Sequence, residues 1–102
     1  MTTETLTSTG HQVTVYGRPG CQPCKAMSKA LDRAGVPHNY LDVTTDPEAR
    51  QAALVHGWET TPVVEVRDLE GTVQAAWHGL RVEHAKALAD PSTDVATLDH
   101  RV

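Results

Sequence analysis

The residues best equipped for chemistry are Cys21 and Cys24, the only two cysteines of the 102-residue chain, spaced C-x-x-C within Y-G-R-P-G-C-Q-P-C, Tyr16 to Cys24. Such a pair can serve as a redox couple, as half of a metal site, or as two small packing residues. A structural zinc site needs four Cys or His ligands. There is no second C-x-x-C, and the six histidines offer no H-x₃₋₅-H spacing beside the first, so no metal is expected. A loop rich in Gly and Pro is a poor place for inert core cysteines. A C-x-x-C within a βαβ pattern is the signature of a dithiol redox site, the reading favoured here.

Position supplies the reactivity. Cys21 follows the loop at the N-cap of a predicted helix, and Cys24 lies three residues on, in the first turn. That spacing brings both sulfurs to one face within reach of a disulfide. Unpaired N–H groups and partial positive charge at the helix start stabilise a thiolate at Cys21. Pro23 fits the first turn but has no N–H to offer, which leaves the Cys24 N–H and S–H as local donors. Arg18 and Lys25 either add positive charge or are plain solvated cations. Cys21 is thus the expected exposed attacker: its thiolate opens a target disulfide, and Cys24, the shielded resolver, releases the reduced target and closes the Cys21–Cys24 disulfide.

The elements that must hold this pair are legible on either side of it. Val13 to Tyr16 alternates and is β-branched, a strand. From Gln22 to Ala34 the period is helical, with Met27, Ala30, Leu31 and Ala34 on one face. Gly35 suits the helix end, and Pro37 follows where the helix cannot continue. His38 to Val43 reads as a second strand. Asp46-Pro47-Glu48 caps and starts a helix running to about His56. Val63 to Val66, a turn over Asp68–Gly71, and Thr72 to Ala76 read as a hairpin. A last helix spans about Val82 to Ala89. The order β-α-β-α-β-β-α predicts an α/β fold, a four-stranded mixed sheet with helices on both faces. Residues 1–12 read as a flexible arm, 13–90 as the domain and 91–102 as a polar, mobile tail.

Composition narrows the partners. Net charge is −4 and no two Lys or Arg are adjacent, whereas nucleic-acid binding calls for a basic stripe. No run approaches the ~18 apolar residues of a membrane span. The polar start, M-T-T-E-T-L, lacks the features of a signal peptide. The expectation is a cytosolic monomer with neither nucleic-acid nor membrane partners.

With these landmarks in place, the chain resembles the NrdH-redoxins, glutaredoxin-like members of the thioredoxin superfamily. The resemblance rests on Y-G-R-P-G-C-Q-P-C, on T-P-V-V (Thr61 to Val64) and on W-H-G-L-R (Trp77 to Arg81), and covers about Val13 to Leu88. It implies a thioredoxin/glutaredoxin fold in which the Thr61–Pro62 peptide is cis and faces the cysteines, with the Thr61 backbone pairing an incoming peptide or thiol. It further implies partner-binding roles for Arg18, Gln22, Pro23, Thr61, Pro62, Trp77, Gly79 and Arg81. The Gly-Gly-acidic element that holds glutathione in other glutaredoxins is missing. The resemblance therefore implies recycling by thioredoxin reductase, with NADPH used indirectly and no bound cofactor, and electron delivery to class Ib ribonucleotide reductase. His78, Leu80 and Val82 depart from the W-S-G-F-R-P usual in that group, and C-Q-P-C stands closer to thioredoxin's C-G-P-C. Two alternatives are a glutaredoxin served by glutathione or another small thiol, and a thiol-switch regulator of the arsenate-reductase-like kind. An iron–sulfur cluster bridging two protomers through Cys21 is weaker still.

Overall fold

The computed structural model describes Thr7, residues 10–58 and residues 60–100. Its elements are β1 (Gln12–Gly17), α1 (Gln22–Arg33), β2 (Asn39–Asp42), α2 (Pro47–Leu54), β3 (Val63–Arg67), β4 (Val73–His78) and α3 (Val82–Ala89), followed by a 3₁₀ turn over Val95–Leu98. The expected element order and mixed sheet are both present. The sheet order is β2-β1-β3-β4, with β1 and β2 parallel and the other neighbours antiparallel.

Each helix boundary has a local cause. Cys21 caps α1, with its sulfur accepting the Cys24 N–H. At the other end Gly35 takes φ +73°, a conformation in which a Cβ would be strained. There the N–H groups of Gly35 and Val36 reach back to Asp32 and Leu31, a Schellman closure. Asp46 Oδ1 accepts the N–H groups of Glu48 and Ala49 at 3.0 and 3.1 Å and starts α2.

The sheet separates two cores. On one face Val13, Val15, Val64, Val66 and Trp77 meet Met27 and Leu31 of α1 and Ala85 and Leu88 of α3. On the other, Tyr16, Val63, Ala76 and Trp58 meet Ala49 and Ala53 of α2.

Three segments depart from expectation. β4 continues to His78 because Trp77 and His78 pair with Val64 and Val63. The C-terminal residues do not form a mobile tail over their described length: Val95 and Leu98 are buried in the larger core. Asp99 Oδ1 accepts the Ala76 N–H at 3.1 Å, and the His100 N–H donates to Ala76 O at 2.9 Å. The segment thus satisfies part of the outer edge of β4, which would otherwise offer unpaired backbone groups. At the other end the expected arm is ordered from Thr7 where described. Thr7 is buried and its N–H bonds His11 O at 2.8 Å. Residues 1–6, 8, 9, 101 and 102 lie outside the described residues.

Candidate active site

The strand register assembles the site. β1 and β3 run antiparallel with Tyr16 opposite Val63, and Val63 in turn faces His78. The chain leaving β1 toward Cys21, the chain entering β3 through Thr61 and Pro62, and the chain leaving β4 into Gly79 therefore converge at one end of the sheet. The Thr61–Pro62 peptide is cis, and Pro62 O accepts the Gly79 N–H at 2.9 Å. Gly79 has φ +85°, so the turn that presents its N–H to Pro62 suits glycine.

Cys21 and Cys24 form a disulfide with Cα atoms 5.2 Å apart. The Cys24 N–H donates to Cys21 Sγ at 3.2 Å, the local donor anticipated on the far side of Pro23. The Thr61 hydroxyl lies 3.5 Å from the same sulfur. A disulfide sulfur carries no proton, so in this state the hydroxyl is the donor. Thr61 O, 3.9 Å away, would become an acceptor for a reduced Cys21 thiol. Two donors thus converge on Cys21 Sγ, an arrangement suited to stabilising a thiolate there.

Exposure corrects one expectation. Cys21 is only 5% exposed and Cys24 is fully buried. The first cysteine is the accessible one of the pair, but it sits under the Thr61 segment rather than standing free. Gln22 and Pro23 are exposed at the start of α1. Arg18 is exposed and shares a surface pocket with Lys25, Lys29, Tyr40 and Asp42. Thr44, through its hydroxyl and N–H, holds the Asp42 carboxyl below the usual range.

The W-H-G-L-R segment is split by the fold. Trp77 is 0% exposed and packs in the larger core, edge-to-face against His84 at 4.5 Å between centroids. It alternates onto the helix-covered face of β4, so it supports the site from beneath and offers no surface to a partner. Arg81 links the loop to α1 through its backbone N–H, which donates to Met27 Sδ at 3.3 Å.

Two contributors were missed from the sequence. A Cβ on Gly17 would come within 2.2 Å of Tyr40 Oη and 3.1 Å of Cys24 Cβ. A side chain there would push the exposed Tyr40 ring aside and crowd Cys24, so glycine lets β1 pass close to the dithiol, and only its place before the loop hinted at this. The second is Glu65, a carboxylate 2% exposed on the α2 face. It contacts His56 Nε2 at 2.7 Å, the Tyr16 hydroxyl at 3.4 Å and Arg67 Nε. Burial, with the Glu65 charge beside it, pushes the Tyr16 phenol up to about 12. His56 leads through Trp58, which stacks on His78 at 4.9 Å, to the loop that ends at Thr61. Within the hydrophobic run that marks β3, Glu65 alone breaks the apolar pattern.

A disulfide-capable pair capping a helix beside a cis-proline segment, on a four-stranded mixed sheet, defines a thiol–disulfide oxidoreductase of the thioredoxin superfamily. The glutaredoxin family model matches residues 13–69. The chain is 31% identical over 70 residues to the glutaredoxin-like protein NrdH of Escherichia coli strain K12, covering 69% of this chain and 79% of that protein. It is 42% identical over 38 residues to the Gene 56 protein of Mycobacterium phage D29, a match spanning 37% of this chain and 42% of that relative. Among solved structures, the NrdH-redoxin from Escherichia coli superposes with a TM-score of 0.61 at 30% identity, covering 72% of this chain and 90% of that one. That protein is described as glutaredoxin-like with a thioredoxin-like activity profile. The chain belongs to the glutaredoxin family, among its NrdH-redoxin members.

Proposed function

We propose that the chain is an electron carrier in which Cys21 attacks a protein disulfide and Cys24 resolves the mixed disulfide. The observation that carries this is the convergence of the Cys24 N–H and the Thr61 hydroxyl on Cys21 Sγ, while Cys24 has no exposed surface. Cys21 sulfur bonds to the target sulfur as the target disulfide breaks. Cys24 then bonds to Cys21 as that mixed disulfide breaks, and two electrons pass to the target. In Cys24→Ser a stable mixed disulfide should accumulate, and in Cys21→Ser it should not; equal trapping by both variants would overturn the assignment.

The target in this reading is class Ib ribonucleotide reductase. Thioredoxin reductase restores the dithiol with electrons from NADPH, in the cytosol and without a bound cofactor. Similarity to NrdH proteins and the missing Gly-Gly-acidic element support it. NADPH consumption with thioredoxin reductase should greatly exceed that with glutathione reductase and glutathione. Efficient recycling by glutathione or another small thiol would transfer the chain to the thiol-dependent alternative.

A further inference from the structure

Charge is placed unevenly along this chain. Of its nine Lys and Arg residues, four lie between Arg18 and Arg33 with a single carboxylate, Asp32, among them, in a protein whose net charge is −4. Lys25, Lys29 and Arg33 are exposed and recur every four residues, a spacing that aligns them along one side of α1. Beside this row, between α1 and α3, lies a groove of about 500 Å³. Ala26, Ala30, Ala34 and Val82 floor it, and Lys29, Arg33 and Lys86 rim it. The ion pairs among the described residues are Asp32–His38, Glu65–His56 and Glu65–Arg67, none of which engages a rim cation. One end of the groove, at Ala26, lies on α1 two residues beyond Cys24. Val82 and its neighbour Leu80 are 44% and 45% exposed, and Arg81 between them is tied to Met27 of α1.

We propose that this groove docks an acidic, amphipathic segment of the disulfide-bearing protein, with apolar side chains on the alanine floor and carboxylates on the Lys29–Arg33–Lys86 rim. The proposal rests on the reading of the chain as a protein-disulfide reductase and adds what selects its partner. A strip with more cations than carboxylates, on a chain of net charge −4, draws negative segments to this side of α1 and repels positive ones. Such steering raises association rates by roughly 10- to 1,000-fold and fades with ionic strength. The screening length falls from about 30 Å at about 0.01 M salt to about 3 Å at about 1 M.

The test uses the full chain and two cysteine-free fluorescent peptides, one alternating Glu and Leu, the other with Gln in place of each Glu. Fluorescence anisotropy should show the Glu peptide binding roughly 10-fold tighter at low salt, with the advantage gone at about 1 M. The triple variant Lys29→Gln, Arg33→Gln, Lys86→Gln, with its fold checked by circular dichroism, should lose that preference. It should still reduce a small uncharged disulfide at the parent rate. Equal binding of the two peptides at low salt, or a preference that survives in the triple variant, would overturn the proposal. Because binding is read without cysteines, neither result depends on whether the dithiol reading holds. That reading is judged separately, by reduction of the small disulfide.

Discussion

The two faces of the sheet are built from different materials. Under α1 and α3 the contacts are almost all hydrocarbon: Trp77, Met27, Leu31 and four valines of β1 and β3 fill the space. Under α2 the apolar cluster is smaller, and part of the interior is a carboxylate shared by His56, Arg67 and Tyr16. The first face carries the helix that holds the cysteines. The second carries the chain from His56 through Trp58 to Thr61, which lies against Cys21. The helix end is thus held by close packing, whereas the segment meeting it is tied at His56 to one buried charge. Packing resists volume change, and a buried polar hub resists loss of any one partner.

On this contrast, the largest effect comes from emptying the hydrocarbon face. Trp77→Ala should lower the unfolding free energy by about 3–5 kcal/mol in urea titration. On the other face, Glu65→Gln keeps the shape but removes the charge and should cost about 1–3 kcal/mol. It should also return the Tyr16 phenol toward its ordinary titration range from about 12, read by ultraviolet absorbance against pH. A larger loss for Glu65→Gln than for Trp77→Ala would reverse the comparison. Asp46→Ala removes only the cap of α2 and should cost about 1 kcal/mol, with little change in the urea response of the α1 side.

The smallest effect tests His84, a buried histidine packed against Trp77 in the hydrocarbon face. Burial, aided by His100 and Arg81 and opposed by Glu83, holds His84 below its ordinary value. A depressed folded value means the unfolded chain binds the proton better. Stability is then full above about pH 6.5 and declines as pH falls below it toward the folded value. Relative to the parent, His84→Gln should flatten the urea midpoint between about pH 7 and pH 5; an unchanged slope would remove His84 from the titration.

Legibility in the sequence followed the range of the interaction. The helix starts at Cys21 and Asp46 and the stop at Gly35 are contacts within a few residues, and all three stand where the residue types indicate. The partner-binding role that the resemblance implied for Trp77 does not suit a fully buried side chain, because its side depends on where it falls in the alternation of β4 against β3. The docking of Val95 and Leu98 was hidden because two apolar residues among polar ones carry no clear period. Only the open edge of β4 and the space beside α3 give them a place.

By itself, the sequence determined the dithiol, its place at a helix start, the element order and the landmark that became the cis Thr61–Pro62 peptide. These are matters of residue type and short spacing. Tertiary structure decided which groups meet Cys21 Sγ. Thr61 is forty residues away in the chain, and it arrives only because antiparallel pairing sets the start of β3 beside the end of β1. It also decided how far Cys21 is covered and how Glu65 is satisfied, since burial and long-range pairing belong to the folded packing rather than to any local stretch.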